Sequence, residues 1–235
     1  MKFAEPLTEG VLVKRYKRFL ADVLLADGSI VTVHTPNTGS MKGCCLPGSR
    51  VWLRDSGNTA RKYPLSWELV EARPGVIVGI NTGCTNDLVE EATKAGVVAE
   101  LQDYANIRRE VRYGVENSRI DLLLENGDGE RCFVEVKNVT MVEGHVAYFP
   151  DAVSIRGTKH LRELAEVVRQ GGRGVIFFCV QRRDATEVRP ADQIDPVYGE
   201  TLRAVKAQGV DAIAYAAEVS PEGVSLVRSL PVVCP

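Results

Sequence analysis

Between residues 10 and 80 the chain alternates apolar and polar positions in short runs that carry no helical period. Runs over 11–14, 19–25, 29–34, 50–54 and 65–72 are rich in β-formers, and Asp27-Gly28 supplies a hairpin turn. This pattern predicts a small five-stranded barrel, for which the oligonucleotide-binding (OB) barrel is the simplest candidate. The period then changes. Leu88, Val89 and Ala92 fall on one face behind an acidic first turn and predict a helix over 85–95 that opens a second domain. The order that follows is strand 107–113, a hairpin, a short strand over 145–149, helix 158–170, strand 174–180, helix 196–208 and strand 212–219. The expected fold is therefore α+β with two domains: an OB-like small β-barrel over 1–82, and an α/β domain with a mixed sheet flanked by helices over 83–235. Segment 181–193 mixes Arg182, Arg183 and Arg189 with Asp184, Glu187 and Asp192, and reads as a solvated loop.

The hairpin of the second domain carries the most chemistry. Ser118-Arg119-Ile120-Asp121-Leu122-Leu123-Leu124 and Cys132-Phe133-Val134-Glu135-Val136-Lys137 flank the turn-rich Glu125-Asn126-Gly127-Asp128-Gly129-Glu130. Strand side chains alternate with period two, so Glu135 and Lys137 share a face. If the loop runs from Gly127 to Gly129 with Asn126 opposite Glu130, Asp121 lies directly across from Glu135. Two carboxylates beside a lysine suit a hard cation such as Mg²⁺ and an activated water. The alternative is a half-solvated strand face, against which the apolar flanks argue, because they suggest a sheet covered on both sides.

Three further groups are candidates for a nucleic-acid backbone. Arg156, Lys159 and His160 cluster at the start of the predicted helix 158–170, where free amides and the helix dipole favour an anion. Taken singly, His160 reads as a surface or capping histidine. The loop His34-Thr35-Pro36-Asn37-Thr38-Gly39-Ser40-Met41-Lys42-Gly43 offers His34, Asn37, Thr38, Ser40 and Lys42 to phosphate or sugar, against the alternative of a barrel-closing turn. Lys14, Arg15, Lys17 and Arg18 bracket Tyr16 and Phe19, and Arg50, Trp52 and Arg54 form a second basic and aromatic group. Cations with aromatic platforms suit single-stranded nucleic acid.

Composition narrows the classes. The net charge of −2 hides an asymmetry: 11 Lys or Arg against 7 Asp or Glu through residue 80, and 18 against 24 afterwards. The barrel is thus the basic end, though only modestly so. No apolar run is long enough to span a membrane, and the start Met1-Lys2-Phe3-Ala4-Glu5-Pro6 lacks a signal-peptide core, so cytoplasmic residence is expected. Cys44, Cys45, Cys84, Cys132, Cys179 and Cys234 show no zinc-site spacing and no disulfide framework.

Taken together, His34–Met41, Arg119-Ile120-Asp121, Glu135-Val136-Lys137-Asn138-Val139-Thr140 and the stretch from Phe149-Pro150-Asp151 through Arg156-Gly157-Thr158-Lys159-His160-Leu161 resemble the sugar fermentation stimulation protein A family of bacteria and archaea, along nearly the whole chain. The resemblance implies an amino-terminal OB barrel, a carboxy-terminal domain like PD-(D/E)xK nucleases, DNA binding without strong sequence preference, and an association with regulation of sugar utilisation. It puts Asp121, Glu135 and Lys137 on the catalytic motif and Asp121 and Glu135 on a Mg²⁺ or Mn²⁺ ion. A further acid is expected in that fold, with Glu100 preferred over Glu110. Ile120 stands where the motif usually has proline. Three readings follow: a metal-dependent nuclease acting on DNA or RNA, a DNA-binding regulator with an inactive nuclease-like domain, and a metal-dependent hydrolase of a small phosphorylated sugar. Pairing through a sheet edge into a homo-oligomer is left open.

Overall fold

The computed structural model describes residues 1–58, 60–114 and 118–235. The barrel is built from β1 (Thr8–Tyr16), β2 (Leu20–Leu25), β3 (Ile30–His34), β4 (Arg50–Asp55) and β5 (Leu65–Arg73), with β6 (Val76–Gly79) added beside β5. Strand order is β3-β2-β1-β4-β5-β6, and a parallel contact of His34 with Ser66 closes β3 onto β5. Alternation turns Leu12, Val23, Val33, Val51 and Leu53 inward around the fully buried Trp67. The Trp67 indole N–H donates to the Leu69 carbonyl at 2.8 Å, so its burial leaves no donor unpaired.

The second domain runs α1 (Thr85–Lys94), β7 (Asn106–Tyr113), β8 (Ser118–Glu125), β9 (Arg131–Val139), β10 (Val142–Glu143), β11 (Val146–Phe149), α2 (Ile155–Arg169), β12 (Arg173–Val180), β13 (Glu187–Pro190), α3 (Pro196–Ala207), β14 (Asp211–Ser220) and β15 (Gly223–Leu230). Its main sheet has the order β15-β14-β12-β9-β8-β7, with β9, β12 and β14 parallel and both edges antiparallel. Leu88 and Val89 of α1 cover one face over Val134 and Phe177. Leu161 and Leu164 of α2 and Leu202 of α3 cover the other over Ile176 and Phe178. One carboxylate joins the two helices on that face: Asp195 caps α3 by accepting from the Tyr198 amide at 3.1 Å and takes the Ser154 amide at 2.7 Å.

Several elements differ from the sequence reading. Helix α2 starts at Ile155 rather than 158, because the Ser154 hydroxyl accepts from the Gly157 amide and fixes the start. Segment 181–193 is not a solvated loop. It contains β13, which pairs parallel with β11, and the Arg182 guanidinium is buried on the Asp184 carboxylate, at 2.6 Å and 2.7 Å. Strands β6, β10 and β15 escape the reading altogether. The first residues of the chain sit against the second domain, where Met1 bonds Glu91 and Val224 and Lys2 bridges Gly223.

The two domains pack through polar and apolar contacts. Trp52 and Leu69 of the barrel enter the core on the α1 side of the sheet, and the Gly79 amide donates to the Gln181 carbonyl at 2.9 Å. No helix among the described residues is long and apolar enough to cross a membrane.

Candidate active site

The hairpin register sets the geometry. Pairing runs from Glu125–Arg131 to Leu122–Val134, so the loop is Gly127 to Gly129 and Asp121 falls level with Glu135. Gly129 supplies the left-handed position at φ 82°, and the Asn126 amide donates to the Glu130 carbonyl at 3.2 Å. Past Leu122 the two strands part, and a side chain replaces the ladder: Asp121 Oδ2 accepts the Val136 amide at 2.7 Å. Asp121 Oδ1 accepts from Asn86 Nδ2 of α1 at 3.0 Å. The fork between β8 and β9 is therefore held by one carboxylate.

Glu135 is only 2% exposed. Its Oε1 accepts from Lys137 Nζ at 2.6 Å and is also in contact with His160 Nδ1. Arg156 Nε donates to His160 Nε2 at 3.3 Å, so that nitrogen is the acceptor and the ring proton belongs on Nδ1, facing Glu135. Glu135 Oε2 is buried without a partner among the described residues. Burial pushes the Glu135 carboxyl up, but the His160 hydrogen bond and the Lys137 charge outweigh it and hold the group below its ordinary range. Asp121 moves the other way. Burial and the nearby Glu135 charge push it up, against the Val136 amide, Asn86 and Lys137.

Hard carboxylate oxygens, one of them buried and without a partner among the described residues, beside a second acid raised by burial and by like charge, fit a divalent cation. Among the described residues no three His, Cys, Asp or Glu side chains converge on one point. A cation here would take one or two carboxylates, with water and substrate oxygens completing its shell, which is the habit of Mg²⁺.

The expected third acid is not at this centre. Glu100 Oε2 accepts from the Tyr215 hydroxyl at 2.7 Å, and its carbonyl accepts from Arg173 at 2.7 Å, at the start of β12. It sits on a 3-10 turn, Ala99–Leu101, whose Leu101 packs on the α1 side of the sheet, and its carboxylate is engaged by Tyr215 of β14. Glu110 lies level with Asp121 on β7 but is exposed, in a left-handed backbone position at φ 52°.

The loop between β3 and β4 closes over Asp121 and Lys137. Asn37, Thr38 and Gly39 line a cleft of about 350 Å³ together with Asp121, Lys137 and Asn86. The loop is held from both sides. Ser40 Oγ donates to Asp151 at 2.9 Å, the Met41 amide to the same carboxylate at 3.1 Å, and Cys44 Sγ to the Thr140 carbonyl at 3.7 Å. A side chain at Gly39 would sit 3.0 Å from Asn37 Oδ1 and 3.1 Å from Asp151, so glycine is what allows this approach.

The basic residues divide. Arg15 turns inward: its guanidinium donates to the carbonyls of Arg18, Asn37, Gly39 and Ser40 and clamps the loop. Arg18 Nε reaches the Thr38 carbonyl at 3.0 Å, and Asn37 is buried with its Oδ1 on the Gly39 amide. Lys14 and Lys17 are exposed at the end of the β1–β2 hairpin, next to Phe19, which is 46% exposed. Lys42 pairs with Glu143 at 3.2 Å on the surface. His34 lines a different pocket, with Arg54, Arg61 and Glu68. Arg156 is exposed on α2 and Lys159 half-buried there. His160 is neither a surface nor a capping histidine but a buried partner of Glu135, because α2 begins a turn earlier than its apolar spacing suggests. In the second basic group only Trp52 is buried, under Arg50; Arg50 and Arg54 are exposed but paired, Arg50 with Glu9 and Glu71 and Arg54 with Glu68.

Sequence reasoning missed Asn86, Asp151, Tyr113 and Glu163 near this centre. Only the i, i+3 spacing of His160 and Glu163 gave a signal, since it places both on one face of α2.

Known proteins are similar to this chain over nearly its whole length. Residues 13–80 match the family described as SfsA N-terminal OB domain, and residues 83–223 the Sugar fermentation stimulation protein RE domain. A "Sugar fermentation stimulation protein homolog" of Geobacter metallireducens is 62% identical over 99% of this chain and 100% of its own. One of Shewanella loihica is 53% identical over 99% of each chain. The structure of Pyrococcus furiosus SfsA in complex with Ca²⁺ superposes with a TM-score of 0.87 at 28% identity, covering 99% of this chain and 98% of that one. With both halves matched in order and relatives this close over the full length, the chain belongs to the sugar fermentation stimulation protein family.

Proposed function

We propose that this protein hydrolyses phosphodiester bonds in nucleic acid, with DNA as the expected substrate, using Mg²⁺ or Mn²⁺ held by Asp121 and Glu135. The observation that carries the reading is Lys137 Nζ, in a cleft shared with Asp121 and 2.6 Å from a buried Glu135 whose other oxygen has no partner among the described residues. The Ca²⁺ in the Pyrococcus furiosus relative supports a hard divalent cation. When bound, such an ion supplies a water of lowered pKa and neutralises charge on a phosphoryl oxygen.

The chain's own residues do the rest. Asp121 and Glu135 present oxygen ligands from two strands whose separation is fixed by the Asp121–Val136 bond. Lys137 has three donors and directs one at Glu135, so the others can orient the attacking water and stabilise charge at phosphorus. His160 positions Glu135, and Arg156 holds the tautomer that does so. The Arg15-clamped loop forms the cleft wall facing the acids, and Lys14 and Lys17 on the barrel offer the backbone contacts.

A second reading, a DNA-binding protein without cleavage, is favoured by one observation: Lys137 and His160 both converge on Glu135 Oε1, so the centre is partly neutralised without any ion. Incubation of labelled single- and double-stranded DNA and RNA with Mg²⁺, Mn²⁺ or EDTA separates the two. Metal-dependent cutting lost in Asp121→Asn supports the nuclease; binding without cutting in either metal supports the second reading.

A further inference from the structure

Glu163 lies on α2, three residues after His160 and on the same helix face, and is 5% exposed. Neither of its carboxylate oxygens has a hydrogen-bond partner among the described residues. An ionised carboxylate left so in a protein interior is strongly destabilising, so natural structures pair it, neutralise it or bind a cation to it. Its position is set closely: a side chain at Gly114, where φ is +69°, would come within 2.8 Å of Glu163 Oε1. Two further buried groups on the α2 side of the sheet, Glu135 Oε2 and the Tyr113 hydroxyl, also have no partner among the described residues. Tyr113, next in sequence to Gly114, packs on the α2 side of the sheet, and Glu135 meets the same helix through His160, one turn before Glu163. The unused oxygens of Glu135 and Glu163 are thus on the same side of the sheet, beneath α2, while Asp121 occupies the fork between the strands.

We propose that Glu163 is an additional acidic ligand of this centre, holding a divalent cation on the α2 side together with the free Oε2 of Glu135. The inference rests on the reading of Asp121 and Glu135 as a cation site and extends it to a residue outside the hairpin motif. Two carboxylates are enough for a Mg²⁺-type ion that keeps several waters, and a pair is what the geometry offers. Helix α2 then ties the site to its own N-terminal region, which carries Arg156 and the exposed Ile155.

The test is calorimetric titration of the full-length, metal-free protein with Mn²⁺, alongside thermal unfolding in EDTA and in Mn²⁺. Glu163→Gln keeps the shape and removes the charge. It is expected to weaken Mn²⁺ binding at least tenfold and to lose most of the Mn²⁺-induced rise in Tm. Glu163→Met, neutral and of similar length, carries the same expectation and decides the matter if the glutamine variant does not fold. Mn²⁺ binding unchanged in the Glu163 variants but lost in Asp121→Asn would overturn the role of Glu163 and leave the hairpin site standing. No Mn²⁺ binding by the wild-type protein would overturn both.

Discussion

Lys137 Nζ and Glu135 Oε1 are 2.6 Å apart, two residues along one strand, with side chains 13% and 3% exposed. The pair is buried and His160 joins it on the same oxygen, so removing the negative partner strands two donors. Glu135→Gln is expected to destabilise the metal-free protein by about 3 kcal/mol. Asp121→Asn should cost under about 1 kcal/mol, because burial and Glu135 already disfavour the Asp121 charge and an amide keeps one of its two bonds. Urea midpoints at unchanged m-value measure both; equal losses would contradict the electrostatic asymmetry.

Asp184 joins the domains through Arg182 of its own loop and Arg73 of β5. Burial pushes its carboxyl up, but Arg182 and Arg73 more than offset this and hold it below the ordinary range. A depressed folded pKa gives stability that is present above the unfolded value of about 3.9 and is lost as pH falls through the folded one. Asp184→Asn should therefore cost about 2 kcal/mol at neutral pH, discounted because Arg73 is partly solvated. The gap to wild type should begin to narrow as pH falls below about 4 and go on narrowing as pH passes through the lower folded value. A gap as large at about pH 2 as at neutral pH would exclude this origin.

Lys17 and Arg18 adopt left-handed backbone at φ 49° and 64°, at the tip of the β1–β2 hairpin, where non-glycine residues are strained by roughly 1 kcal/mol. Lys17→Gly should relieve that strain and raise stability by about 1 kcal/mol. It should also weaken nucleic-acid binding and reduce the salt slope of log K by about one. Stability and affinity would then move in opposite directions, which fluorescence anisotropy at several salt concentrations and thermal melts can read together.

Thiol reactivity divides the six cysteines. Burial pushes Cys44 up to about 11 and Cys84 and Cys132 up to about 12, and raises Cys179 as well. Since the thiolate is the nucleophile, these four should resist alkylation until the protein unfolds. Cys45 and Cys234, only half-buried, should label first. Mass-resolved labelling of folded protein with iodoacetamide checks the order.

What the sequence revealed about this molecule follows from how local each feature is. The hairpin register was legible because loop length and strand alternation are set within residues 118–137, and Asn126 and Gly129 fit the three-residue turn. Helix α1 was legible from Leu88, Val89 and Ala92. Strand β13 was not, since Glu187-Val188-Arg189-Pro190 is short, charged and held by parallel pairing with a distant strand. His160 and Glu163 reach Glu135 and Tyr113 only through the packing of α2 on the sheet, which no local period encodes. Arg15 misled for the same reason: its four carbonyl partners belong to a loop more than twenty residues away and to its own turn, so a cation that reads as solvent-facing points inward.

The central claim is that one lysine converts a nucleic-acid-binding cleft into a cleaving one. Single-turnover cleavage of labelled DNA in Mn²⁺ by wild type and Lys137→Ala, with binding measured by anisotropy in matched Ca²⁺ samples, tests it most directly. The account predicts metal-dependent cleavage in wild type, a loss of roughly 10²–10⁴-fold in the variant, and affinities within about twofold of each other. Equal cleavage by the two proteins, or tight binding by wild type with no cleavage in Mn²⁺ or Mg²⁺, would contradict it.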